Sequence, residues 1–422
     1  MADQETWDWQ SGKRPVADLT ALQDGFSSVY EFVVSPDGER IAVPVVKEGD
    51  VFGVWVNGQL WEGEFEKAWN LKFGPDGRLI ALVRTDDMWT VAEEGNLWDE
   101  RWEFAWDVKL SRDGSVVAVQ VKREMDYSVA ANGKAWEATF QSCRGFTLSP
   151  DGKRIAALVQ VEPLPEADIF KFAEGTWSVA VDGVPWSQKF INAYTPVFSA
   201  DGSQVAAQVR TDLYEYTIAE GGEPWKARFG CIWEPLYRSE GTGLVVPVRI
   251  AGGWTLAENG SPLWNGRYVQ LWHQRLSPNG KSLAAVVATE YGKWTIAVDD
   301  VPWPTTFADL VFPPVFSPDG GRIATIVKED NRWTVAVDGK AWPETFDMVW
   351  DPVFSPDGRS VAAKAERDGK YALVVDGRPW SPTFVSLWDP VFSPDGTGLL
   401  VRGIEDGQYH RQVVPLEKVK KG

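Results

Sequence analysis

One six-residue phrase, VFSPDG, stands at 315–320, 353–358 and 391–396, and weaker copies of its last four residues run through the whole chain. Counting GPDG, SRDG, SADG, SPNG and RSEG as variants, the first residue of each copy falls at Ser35, Gly74, Ser111, Ser149, Ser199, Arg238, Ser277, Ser317, Ser355 and Ser393. Successive copies are 37 to 40 residues apart, with one interval of 50. A period of this length marks stacked copies of one supersecondary unit, so few non-repetitive folds remain open to the chain.

The unit can be read locally. Ser-Pro-Asp-Gly suits a type I turn, because proline presets φ at the second position and glycine accepts positive φ at the last. Apolar stretches such as DPVF and SVAAKAE flank it. A run such as Trp333 to Val337 follows, then Asp338-Gly339, and Asp-Gly between two such runs is a strong hairpin signal. A hairpin tryptophan comes next, at 61, 98, 136, 186, 225, 264, 303, 342 and 380, and an aromatic residue stands four places after each. Four antiparallel strands per unit, repeated ten times, predict an all-β chain: a single closed β-propeller of ten four-stranded blades.

The same register accounts for 21 of the 24 tryptophans, leaving Trp7, Trp9 and Trp55 outside it. Rings recurring at one place in every blade are expected to pack between neighbouring sheets. The last unit stops after its third strand, at LEKVKKG, whereas Phe26 lies nine residues before the first anchor, where a fourth-strand aromatic belongs. The N-terminal strand is therefore expected to complete the last blade, with Phe26 in the aromatic slot. Two five-bladed rings would each need such a closure, and nothing near 199 to 238 resembles a linker, so one domain over 1–422 is expected.

Charge and rare residues bound the chemistry. With 60 acidic against 42 basic residues, the net charge is -18, which disfavours nucleic acid as a partner. Cys143 and Cys231 are too few for a disulfide scaffold or an iron–sulfur cluster, and are expected to be buried thiols. His273 and His410 are the only histidines; each sits in a strand slot and is expected to be packed or on the surface. No nucleophile elbow, phosphate loop or C-x-x-C appears, and the recurrent Asp of the turn is explained by the turn itself. No catalytic, cofactor or metal residue is assigned. The N-terminus lacks a signal-peptide pattern and no long apolar run occurs, so a cytoplasmic protein without a membrane span is expected.

Function is then sought where the repeat is interrupted. The 50-residue unit carries an insertion, 162–174, between its second and third strands, read as a loop. Its apolar residues Leu164, Ile169, Phe170 and Phe172 are candidate partner contacts, with Glu166 and Asp168 at a polar rim. Trp7 and Trp9 in the N-terminal arm are further candidates. The tail lysines 418, 420 and 421 form a small basic exception that can meet an acidic partner or a membrane surface.

The VFSPDG-x-x-(V/I)-A blade resembles the WD-related, TolB-type propeller repeat from about 26 to 414. The start TWDWQSGKRPVADL and the tryptophan-bearing blades also resemble the tryptophan-rich D subunit (TmcD) of the Tmc transmembrane electron-transfer complexes of sulfate-reducing bacteria. That resemblance implies partners: an iron–sulfur protein, a membrane cytochrome b and a periplasmic multihaem cytochrome c. It implies a peripheral place on the inner face of the membrane. With two cysteines and two histidines, the expected role is scaffolding without a redox centre. A stand-alone interaction propeller has the same repeats; a propeller hydrolase needs convergent carboxylates on first strands that instead read WDPVF, FPPVF and YTPVF.

Overall fold

The computed structural model describes residues 4–164, 168–241 and 243–421. Its strands form ten separate antiparallel sheets, one per repeat. The chain is a ten-bladed β-propeller, here numbered blade one to blade ten by anchors Ser35 to Ser393. By contacts it divides into two compact units. One is made of Val43–Val54 and the described residues of Leu60–Leu263, the other of 4–42, Trp55–Gln59 and 264–421.

The anchor turn folds as its sequence requires, and its serine is the reason. Ser355 is buried; its hydroxyl donates to Asp357 Oδ1 at 2.6 Å and accepts the Ser360 N–H at 2.9 Å. Gly358 closes the turn by donating to the Ser355 carbonyl at 2.8 Å, with φ +70°. The same hydroxyl bridge recurs at Ser35, Ser111, Ser149, Ser199, Ser277, Ser317 and Ser393. At the hairpin between third and fourth strands a side-chain oxygen does a parallel job: Asp376 Oδ1 accepts the Val361 N–H at 2.8 Å, as Asp338 does for Ile323 at 2.9 Å.

Blades differ at their first strands, for a legible reason. Blades two, three, four and seven have one seven-residue first strand, interrupted by a bulge. At the bulge Asn70, Asp107, Gly145 and His273 take φ of 52°, 55°, 53° and 54°. Blades five, six, eight, nine and ten carry proline one place later, at 196, 235, 314, 352 and 390. Proline has no N–H for the ladder, so the strand breaks into two short pieces.

Packing between blades follows the tryptophan register. In the first unit Trp61, Trp98 and Trp136 stand within 3.3 to 3.6 Å of a Cβ built on Gly95, Gly133 and Gly183, the hairpin glycine of the following blade. In the second unit Trp303 and Trp342 meet Gly339 and Gly377 in the same way. Trp342 is buried in a cluster with Phe346, Val349 and Val361, so it joins its own blade to the next. A third-strand hydroxyl completes the blade: Thr90, Ser178 and Thr295 donate to the carbonyls of Glu100, Gln188 and Thr305 at 2.8, 2.9 and 2.7 Å.

The N-terminal strand completes the last blade, but Phe26 is not in it. Gly12–Asp18 pairs antiparallel with Gln408–Pro415, and Ala17 faces Tyr409 where other blades place the fourth-strand aromatic. Phe26 instead follows a one-turn helix, Leu22–Gly25. Buried Leu19 and Leu22 lengthen this connection, which displaces the strand toward the N-terminus. The tail is also no free arm. Leu416–Lys421 is a short helix whose Leu416 and Val419 pack with Trp380, and Lys420 pairs with Asp376 at 3.3 Å.

Candidate interaction sites

The insertion in blade four contains a helix, Ile169–Glu174, rather than a plain loop. Asp168 caps it by accepting the Lys171 N–H at 2.9 Å, so the residue expected at a polar rim is committed to the cap. Glu162 holds the base, pairing with Lys189 at 2.5 Å and Lys171 at 3.8 Å. Ile169 and Phe170 project into solvent, Leu164 is exposed and Phe172 is half-buried. Glu166 lies outside the described residues.

The exposed apolar side chains continue on both neighbouring blades. The turn between second and third strands presents Met125 in blade three, and Leu213 and Tyr214 in blade five; Met125, Phe170 and Tyr214 are 77%, 79% and 82% exposed. In blades one, two, eight, nine and ten the same turn reads EGD, DD, DN, DG and DG. Periodicity points to the insertion alone; the flanking turns escape notice because a single methionine or tyrosine in a turn is unremarkable.

Trp7 and Trp9 are brought together in the other unit. Their rings stack at 5.9 Å and 22°, Trp9 Nε1 donates to the Gln4 carbonyl at 2.7 Å, and both are half-buried. Arg411, almost wholly buried, donates to the Asp8 carbonyl at 2.5 Å and pairs with Glu39 at 2.9 Å. These rings thus belong to a local structure that seats the latch strand.

The two histidines separate in character. His410 lies opposite Pro15 of the latch strand, with Nε2 3.8 Å from Glu405. Burial, reinforced by the Lys13 ammonium, lowers its pKa. His273 lines a cleft with Trp272, Arg275, Phe312, Pro313 and Asp351. Nothing in its sequence neighbourhood signals this, because the bulge that turns it is visible only in the backbone. Cys143 is buried and its thiol is pushed up to about 11 by burial; Cys231 is only half-buried, a departure from expectation. Among the described residues no helix is long and apolar enough to cross a membrane.

No family model and no curated protein matches the chain. Among solved structures it is similar to the Dos1 propeller, at 12% identity and TM-score 0.37, over 94% of this chain and 95% of that one. It is also similar to TolB from Acinetobacter baumannii, at 13% identity and TM-score 0.30, over 73% and 78%. A eukaryotic initiation factor shares 13% identity with a TM-score of 0.48, over 78% and 90%. What the topology establishes is the β-propeller, a fold compatible with a protein-interaction scaffold.

Proposed function

We propose that this propeller is a non-catalytic docking scaffold, and that its partner binds the second-to-third-strand turns of blades three, four and five. The carrying observation is the apolar crescent of Met125, Ile169, Phe170, Leu213 and Tyr214, on adjacent blades of a strongly acidic chain. Exposed apolar side chains grouped on one edge lower the free energy of the molecule only when something covers them. The assembly proposed is a membrane-associated electron-transfer complex of the sulfate-respiration type, as the resemblance to the tryptophan-rich subunit implies. There the chain sits on the inner face of the membrane through an iron–sulfur protein, a cytochrome b and a multihaem cytochrome c. It holds no redox centre itself, since its two cysteines are too few to ligate an iron–sulfur cluster alone and no C-x-x-C-H haem-attachment motif occurs.

The test is purification from native membranes of three proteins: the intact chain, one with 163–173 shortened to a turn, and a Met125→Ser/Phe170→Ser/Tyr214→Ser variant. The intact chain is expected to bring down the iron–sulfur and cytochrome subunits, read by mass spectrometry and haem absorbance. Both variants are expected to lose most of that yield with unchanged circular dichroism. Full recovery by both variants removes the crescent as the interface. An intact chain that copurifies with no redox subunit removes the electron-transfer assignment and leaves the stand-alone interaction propeller.

A further inference from the structure

A second feature, in the other unit, concerns small molecules rather than proteins. The first strands of blades seven, eight and nine enclose a half-open cleft of about 610 Å³. That is within the range of about 300–1,000 Å³ usual for ligand pockets. Its chemistry changes blade by blade. Blade seven contributes Trp272, His273 and Arg275; blade eight an apolar floor of Phe312, Pro313 and Pro314; blade nine Asp351.

Equivalent slots in other blades show what is unusual here. The residue two places before the anchor is Lys72 in blade two and Lys109 in blade three. Lys72 donates to the Val108 carbonyl of the following blade at 2.8 Å, and Lys109 to the Phe146 carbonyl. Arg275 occupies the same slot in blade seven, where its guanidinium donates to its own neighbour, the Gln274 carbonyl, at 3.2 Å. The residue four places before the anchor is Asp107 in blade three and Asp389 in blade ten, paired with Lys109 at 3.4 Å and Lys364 at 3.6 Å. Asp351 holds that slot in blade nine, and among the described residues neither it nor Arg275 forms an ion pair. Arg275 and Asp351, neither in an ion pair among the described residues, thus both line one cleft.

The backbone at His273 supports the same site. Blades two, three and four fill its left-handed position with Asn, Asp and Gly, which tolerate it best. Blade seven uses a histidine at φ 54°, and the bulge there separates the pairing of Trp272 from that of Arg275. Both side chains then line the same cleft. A locally strained residue of this kind is a recurrent mark of binding sites. Trp272 is held from behind by Trp294, with ring centroids 4.8 Å apart, so the wall is preformed.

From the sequence of cation, apolar floor and anion, we infer that the cleft binds a short aromatic peptide with free termini. Its carboxylate meets the Arg275 guanidinium, its ammonium meets Asp351, and its rings lie on Phe312, Pro313 and the Trp272 edge. A guanidinium favours a carboxylate because it donates two parallel hydrogen bonds. A lone aromatic acid uses only the first of these contacts. The site is independent of the apolar crescent, and either stands without the other.

The test is calorimetric titration of the full chain with phenylalanyl-phenylalanine, its N-acetyl form and its C-terminal amide, using intrinsic tryptophan fluorescence as a second readout. The free dipeptide is expected to bind, with each capped form at least about tenfold weaker, the scale of one charge-assisted hydrogen bond. Arg275→Gln is expected to weaken the free dipeptide by a similar factor while leaving the amide unchanged. Asp351→Asn is expected to weaken the free dipeptide and leave the acetylated form unchanged. Both side chains are exposed, so neither change is expected to disturb the fold, and circular dichroism checks that. No binding of the free dipeptide at millimolar concentration overturns the inference, as do losses that are the same for all three ligands.

Discussion

At the scale of single residues, the anchor serine does most to make the turn. Ser111 is buried, donates to Asp113 Oδ1 at 2.7 Å and accepts the Val116 N–H at 2.9 Å. That hydroxyl, with the N–H and hydroxyl of Ser115, lowers the pKa of Asp113 to about 2, and the equivalent bonds bring Asp201 to about 2. The sign follows directly. An aspartate whose folded pKa lies below its unfolded value of about 3.9 adds stability above pH 4 and loses it as the pH falls through 2. Ser111→Ala strands the Val116 N–H, which costs about 1–3 kcal/mol. It also releases Asp113, so the fall in stability between pH 4 and pH 2 becomes shallower than in the parent. Denaturant melts at pH 7, 4, 3 and 2 measure both; an unchanged acid limb contradicts this account of the turn. The turn was legible in the sequence because Ser, Pro, Asp and Gly each have one local reason to be there. His273 was not, because a histidine in a bulge and a histidine in a regular strand read the same.

At the scale of the element, each blade is finished by the next. The hairpin glycine meets the tryptophan of the preceding blade, and two glycines of blade nine separate this contact from backbone strain. Gly377 has φ +77° and a Cβ placed on it would lie 3.0 Å from Trp342 Cγ; Gly369 has φ +72° and nothing within 4 Å. Alanine at either site meets the left-handed penalty of about 1–2 kcal/mol. Only at Gly377 is overpacking against the preceding sheet added, about 1–3 kcal/mol more. Chemical denaturation of Gly377→Ala and Gly369→Ala is expected to show that difference, and equal losses would mean that the tryptophan does not bind the blades together. Strand order and blade number were readable because the hairpin, the anchor turn and the aromatic slots repeat in step. The helix at Ile169–Glu174 was not, since six residues between prolines and acids carry no helical period. Repeat spacing points to Phe26 for the latch, whereas Leu19 and Leu22 take their own buried positions and push the strand back to Gly12–Asp18.

At the scale of the whole molecule, the two ends of the chain meet in one blade, and its neighbour is tied to it by buried arginines rather than by tryptophan. Arg402 donates to the carbonyls of Ser35 and Pro36 at 3.1 and 3.2 Å, and Arg411 to that of Asp37 at 2.7 Å. Tyr409 donates to the Gly38 carbonyl at 3.1 Å. The first anchor turn thus docks on the second and third strands of the last blade, and the third is itself covered on its outer edge by Gly12–Asp18. Removing residues 1–22 leaves the edge of Gln408–Pro415 unpaired and takes away Ala17, Leu19 and Leu22, all buried. The two leucines alone contribute about 3–6 kcal/mol at about 1.5–3 kcal/mol each, and an open edge strand is a template for aggregation. The truncated chain is expected to melt at a markedly lower temperature and to aggregate on concentration. A synthetic peptide of residues 4–22, added in trans, is expected to pair with the free edge and recover most of the loss, because the ladder hydrogen bonds need no covalent link. A truncated chain that melts like the intact one, with or without the peptide, rules out the latch as the element that joins the ends.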